Sequence, residues 1–278
     1  MKKKIIEFIQ TTENIEEATR ALIALGNKLD KDLELVIVAD PNITTTPTGM
    51  NPVPSMEEAK QFYEYIESKE NKAQEVINNL KEMTRDIYIN LKVQTGTLDY
   101  LVEQKSKEED TYLIVLADDN YRNDFSIITF FEKFSQIAEC PILRLPGNYH
   151  FKPFAKILYG SDYLEVDIPK LQKLTGIAAV FNADVTLLHV TNDIQAEEFD
   201  TIKVGKEILD KVDYKKLVVR TIQASDISNG INNYATENGY DLVAVLREKK
   251  DFFENLFNKS QAIEISKKSD KPVLMFHE

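Results

Sequence analysis

The strongest constraint on this chain is an ordered internal repeat. The segment "TYLIVLA" (111–117) matches "YDLVAVL" (240–246), and "ECPILRL" (139–145) matches "DKPVLMF" (270–276). Nearer the amino ends, "KDLELVIVAD" (31–40) matches "ADVTLLHVTND" (183–193), and "KKIIEFI" (3–9) matches "AKILYGS" (155–161). The spacing is nearly constant, 131 positions from Pro141 to Pro272 and 129 from Leu113 to Leu242. Four pairs in one order imply two homologous units. Their bounds fall at 1–146 and 153–278. The linker 147–152 lies in "RLPGNYHFKPF", where prolines, a glycine and an asparagine break regular structure. With 278 residues in all, each unit is long enough to bury a core.

Each half alternates short β-branched runs with helically periodic stretches. "NIEEATRALIALGNKL" places Ile15, Ala18, Leu22, Leu25 and Leu29 at helical spacing. Asn14 and Glu17 have the spacing of a capping box, and Gly26 reads as an imperfection near the helix end. A longer helix over residues 56–86 carries one stripe through Phe62, Ile66, Ala73, Ile77, Leu80 and Met83. Strands such as "LELVIVA" and "YLIVLA" are almost continuously apolar, so both faces should be buried. The alternation then predicts parallel sheets with helical crossovers, about five strands in each half.

Composition narrows the partners. A net charge of −12 argues against duplex nucleic acid and anionic membranes, because binding phosphate needs a basic face. No apolar run approaches the ~20 residues that span a bilayer. The opening "MKKKIIEFIQTTE" is interrupted by Glu7 and Glu13 and reads as a first strand, not a leader. One cysteine, Cys140, provides neither a disulfide nor a metal framework, which fits a cytoplasmic location.

Catalytic patterns find little support. His150, His189 and His277 are scattered without metal spacing, and His189 sits in an expected buried strand as a core residue. Neither G-x-S-x-G nor G-x-x-x-x-G-K-[ST] occurs. The acidic pairs Glu108–Glu109 and Asp118–Asp119 read as surface charges. In a doubly wound sheet, ligands sit beyond the carboxyl ends of the strands where strand order reverses. The stretches to examine are therefore 5–13 and 115–130 in the first half, and 157–165 and 245–260 in the second. The loop "NITTTPTGMNPVPS" (42–55) follows strand two without a counterpart in the second half, and reads either as a lid or as a surface insertion.

These segments resemble the universal stress protein family. "KILYGSDYLE" is similar to its opening strand, "VTLLHV" to its second, "YDLVAVL" to its fourth and "KPVLMF" to its last. "TFFEKFSQIAECPIL" is similar to its closing stretch. The resemblance covers nearly the whole chain, twice. It implies two doubly wound, five-stranded, Rossmann-like α/β domains of the adenine nucleotide alpha hydrolase-like kind. It also implies pairing through the last strands, here "CPILRLP" and "KPVLMFH", about a pseudo-two-fold axis, with a homodimer left open.

ATP-binding members of that family carry G-x2-G-x9-G-S/T after strand four, where small turns let backbone amides reach phosphates. In the second half the three glycines fall on Leu246, Lys249 and Lys259, and only the hydroxyl of Ser260 survives. In the first half the hydroxyl position is Thr129, with no glycine between Leu113 and Pro146. "KDFFENLFNKSQAIEI" instead presents Phe252, Phe253, Leu256 and Ile263 as an amphipathic helix. The family's strand-one aspartate maps to Asp162, and to Gln10 in the first half. Asp162 is a ligand residue or a loop residue. Arg247, Lys249 and Lys250 hold an anion by side-chain charge or form a solvated helix start.

The candidate ligand set in the second domain is therefore Gly160, Asp162, Val190, Arg247, Lys249, Lys250, Lys259 and Ser260. The leading expectation is a non-enzymatic stress-response protein with degenerate nucleotide sites, no cofactor and an unknown protein partner or small ligand. The alternative is a regulatory protein that binds ATP or AMP in the second domain only. A hydrolase or transferase of the wider adenine-binding superfamily is the third class.

Overall fold

The computed structural model describes residues 2–40, 55–118, 127–147, 149–161, 168–191, 205–247 and 259–277. The side chains of 127–130, 247, 259 and 260 lie outside this description. Two compact units emerge, Met1–Cys140 with Gly147–Phe151, and Pro141–Pro146 with Lys152–Glu278.

The first unit holds β1 (Lys4–Ile9), α1 (Ile15–Leu29), β2 (Asp32–Ala39), α2 (Met56–Asn79), β3 (Ile89–Thr95), α3 (Leu98–Ser106), β4 (Thr111–Ala117) and α4 (Ile127–Ile137). Its strands run parallel in the order β3-β2-β1-β4. The second unit holds β5 (Ile142–Leu145), β6 (Lys156–Gly160), α5 (Ile168–Phe181), β7 (Asp184–Thr191), β8 (Leu217–Gln223), α6 (Ile227–Glu237), β9 (Leu242–Arg247), α7 (Lys259–Lys268) and β10 (Val273–His277). Residues 205–209 are also helical. Its strand order is β5-β10-β9-β6-β7-β8, parallel throughout except that β5 runs antiparallel to β10. The last strand of the first repeat thus clusters with the second unit. There Arg144, buried on β5, donates to the carbonyls of Ser266 and Ser269 at 2.9 and 3.3 Å, satisfying the end of α7.

The apolar strands are buried as expected. Residues 33–39 of β2 and 113–117 of β4 are all buried, and the one polar residue among them, Glu34, is bonded. Successive residues of β2 identify the two layers. A Cβ on Gly26 of α1 would lie 3.0 Å from the Leu33 side chain, whereas the next residue, Glu34, pairs with Lys105 of α3. Helices α1 and α3 therefore cover opposite faces.

Several local expectations are corrected. Gly26 is not an imperfection. A side chain there would also press on Ile87 and on the carbonyl of Lys31, each at 3.0 Å. The Asn14 capping box does not form, because Asn14 has φ −118° and ψ 25° and its side chain makes no cap bond. A capping box forms instead at α2, where Ser55 accepts from the Glu58 amide and the Glu58 carboxylate accepts from the Ser55 amide. Helix α2 ends at Asn79, short of residue 86, and a 3₁₀ turn over Lys81–Met83 follows. Pro169 is tolerated in the first turn of α5, where its missing N–H is no loss.

The amino ends of the strands are fastened differently in the two units. In the first unit, Glu34 is 2% exposed. Its oxygens lie 2.7 Å from Lys105 and 2.7 Å from Lys92, with Lys4 at 3.4 Å. Lys4 also meets Glu108 and Asp110, and Lys105 meets Glu108 at 2.9 Å. Glu108 is thus part of a buried ion network, not a plain surface charge. Burial alone would raise the Glu34 carboxyl, but hydrogen bonds from Lys105 and Lys92 and the charges of Lys105 and Lys4 outweigh it and hold it at about 2. In the second unit Thr186 stands where the first has Glu34, and Tyr240 donates to its hydroxyl at 2.7 Å, while the Asp241 carboxylate at the same end accepts from the Ala155 and Lys156 amides at 2.8 and 2.9 Å.

Cys140 is buried, and that burial pushes its thiol up to about 12. A thiolate-directed reagent should therefore leave the native protein unmodified and label it in denaturant. Rapid labelling without denaturant would contradict this placement.

Candidate functional site

Strand order in the second unit reverses beside β6. The chain steps from β6 out to β7 and β8, then returns to place β9 on the other side of β6. The carboxyl ends of β6 and β9 therefore bound the crevice where doubly wound sheets bind ligands. Gly160 stands at this point, in register with Leu188 of β7 and Val245 of β9. The backbone continues the ladder one residue further, with Ser161 donating its N–H to the Leu188 carbonyl at 2.9 Å. The Ser161 carbonyl lies 3.2 Å from Nδ1 of His189, a contact that requires the proton on Nδ1. His189 is 8% exposed and on β7, as a core residue should be.

Val190 is fully buried. It contacts the start of α6, where a Cβ on Gly230 would lie 3.0 Å from its Cγ1 and 2.9 Å from the Cβ of Ala224. The absent side chain lets α6 close on the end of β7, and the Ala224 amide donates to the Thr191 carbonyl at 3.0 Å. Asp226 caps α6 by accepting from the Asn229 amide at 2.7 Å, which holds its carboxyl below the usual range.

Arg247 ends β9 in register with His277, and Lys259 and Ser260 open α7. The fold thus brings Gly160, Val190, Arg247, Lys259 and Ser260 to one edge of one sheet. Asp162, Lys249 and Lys250 lie outside the described residues, as do Phe252, Phe253, Leu256 and most of the 42–55 loop. Sequence reasoning missed the Ser161–His189 contact and the placement of His277 beside Arg247. A histidine near the end of each strand was the available signal, but each read as part of an apolar run.

The first unit reverses between β1 and β4, and its crevice differs. Glu7 is fully buried, and both carboxylate oxygens approach the Ala117 amide at the end of β4, at 3.3 and 3.4 Å. A carboxylate there competes for the amide that an anionic ligand would use. Beside it, Lys69 of α2 is 4% exposed, donates to the Gln10 carbonyl at 2.6 Å and lies 4.3 Å over the Tyr65 ring. Among the described residues, no group of three or more histidine, cysteine or acidic side chains could hold a metal ion. No helix among them is long and apolar enough to cross a membrane.

Mostly parallel sheets, helical crossovers and a reversal point in each unit define a doubly wound, Rossmann-like α/β protein. Solved structures with the same fold include universal stress proteins. The chain is similar to one from Archaeoglobus fulgidus DSM 4304 at 12% identity and TM-score 0.70, covering 98% of each chain. It is similar to a putative universal stress protein from Pseudomonas aeruginosa UCBPP-PA14 at 13% identity and TM-score 0.61, covering 99% of this chain and 93% of that one. A functionally unknown protein from Pseudomonas aeruginosa PAO1 matches at 13% identity and TM-score 0.58, covering 99% and 92%. No family model and no curated protein matches the sequence.

Proposed function

We propose that this chain is a non-enzymatic stress-response protein of the universal stress protein type, with two such domains in tandem, acting by binding a partner or small ligand. The observation that carries this reading is a strand order written twice, β3-β2-β1-β4 and β8-β7-β6-β9, in a chain that matches a universal stress protein end to end. Glu7 supports a degenerate site in the first unit, since a buried carboxylate occupies its crevice. In the second unit the lost glycines support the same reading.

A second reading assigns ATP or AMP to the second unit alone. Gly160 at the reversal point favours it, because backbone can approach a ligand closely there. Asp162 and the cations Arg247, Lys249 and Lys250 would contact the ligand.

Equilibrium dialysis of the whole protein with ATP and AMP separates the two. The first reading expects no saturable binding. The second expects binding that Asp162→Ala weakens roughly tenfold or more, the loss of a charge-assisted hydrogen bond, and that added salt also weakens. Phosphate release from ATP above the buffer blank would overturn the non-enzymatic reading.

A further inference from the structure

Helix α2 is long, and its packing is uneven. Its buried residues are Ile66, Lys69, Ala73, Val76 and Ile77, and none precedes Ile66. The helix starts on the carboxyl side of the sheet, after β2, and Lys69 is already bonded to the Gln10 carbonyl just beyond β1. At ~1.5 Å per residue, the turns before Lys69 extend about 15–20 Å past that point. They stay helical through the Ser55–Glu58 capping box, not through burial.

This projecting segment is apolar along one side. Phe62 lies on the same stripe as Ile66, Ala73 and Ile77 but is only half-buried. Met56 is 93% exposed and Tyr63 is 71% exposed on its flank. Around them acids outnumber exposed lysines. Glu57, Glu58, Glu64, Glu67 and Glu70 are all exposed. Of the two lysines in the same turns, Lys60 lies 3.8 Å from Glu64, and Lys69 is turned inward to Gln10. An apolar stripe framed by acids does not match a second copy of a chain carrying −12, because the same acids would face each other.

We propose that the overhang of α2, centred on Met56, Phe62 and Tyr63, is a docking face for a basic amphipathic helix of a partner protein. The partner's apolar residues cover the stripe, and its lysines or arginines meet the flanking glutamates. This specifies the partner side of the proposed function. It does not depend on nucleotide binding, which is read separately in the second unit.

The probe is a labelled peptide of about 18 residues, five turns, with leucine on one face and lysine on the other. Its binding to the full-length protein is followed by fluorescence anisotropy. The expected result is saturable binding that falls about tenfold or more in Met56→Ser/Tyr63→Ser, as for loss of an interface anchor. Binding should fall comparably in Glu67→Lys/Glu70→Lys, the acids nearest Met56 and Tyr63 around the helix, and with rising salt, and a leucine/glutamate peptide should not bind. All four positions are exposed, so both variants should melt with the parent protein. Equal binding to parent and variants would overturn the proposal, since diffuse acidity would then suffice. So would absence of binding, or self-association of the parent protein that Met56→Ser/Tyr63→Ser abolishes. Failure here would remove this face alone and leave binding of a different partner or small ligand, the proposed function, standing. Peptide binding without ATP or AMP binding in dialysis would remove only the second, nucleotide reading.

Discussion

Glu34→Ala lowers the unfolding free energy by about 3–5 kcal/mol, the usual consequence of removing one member of a buried ion pair. The loss is large because Lys105, buried on α3, keeps only Glu108 among the described residues to balance its charge. A Glu34→Leu/Lys105→Met double variant should lose less than the sum of its parts, since neither charge is then stranded. The effect depends on pH in a defined direction. The Glu34 carboxyl falls from 4.5 to about 2 on folding. Above pH 4.5 it is ionised in both states, and its contribution is complete. As pH falls from about 4.5 toward 2, the unfolded chain takes up the proton first and the contribution disappears. A shift of this size is linked to about 3 kcal/mol. Urea unfolding of the parent protein and of Glu34→Ala should therefore show a gap that is wide at pH 7 and narrows steeply below pH 4.5. A gap independent of pH would remove the ion network from the account of stability.

Phe154→Ala should cost about 3–5 kcal/mol as well, for a different reason. Phe154 follows directly on the linker region, yet it is 2% exposed and its ring centroid lies 4.9 Å from that of Phe181 on α5. Truncation leaves a void against a helix whose position is already fixed by Leu171, Leu174 and Ala178, all fully buried. Collapse around the void is then restricted, so the cavity contribution persists alongside the lost transfer energy. Denaturant midpoints measure the change. If Phe154→Leu restores most of the loss, the effect is packing volume. A midpoint within experimental error of the parent protein would show that the junction is not anchored there.

The comparison of residues with elements shows where sequence reading works. Strands β1, β2, β4, β6, β7, β9 and β10 were legible as apolar runs, because a strand covered on both faces is built mostly of apolar residues. Helix α1 was legible through the 3.6-residue recurrence of Ile15, Ala18, Leu22, Leu25 and Leu29, all buried. The repeated order of segments was legible as well, and with it the reversal points that put Gly160 at a crevice. These features depend on neighbours within a few residues, or on a pattern that a list of residues preserves.

Other features depend on partners distant in the chain, and only the folded structure decided them. Glu34 is an acid in an apolar run until Lys92 and Lys105, 58 and 71 positions away, neutralise it. Gly26 resembles a flaw until Ile87 and Leu33 press on it. Ser161 and His189 are 28 apart and bond through a backbone carbonyl that no side-chain motif encodes. Local periodicity is a property of the sequence itself. Which charge meets which, and which glycine admits a helix, is set by long-range packing that exists only once the chain has closed on itself.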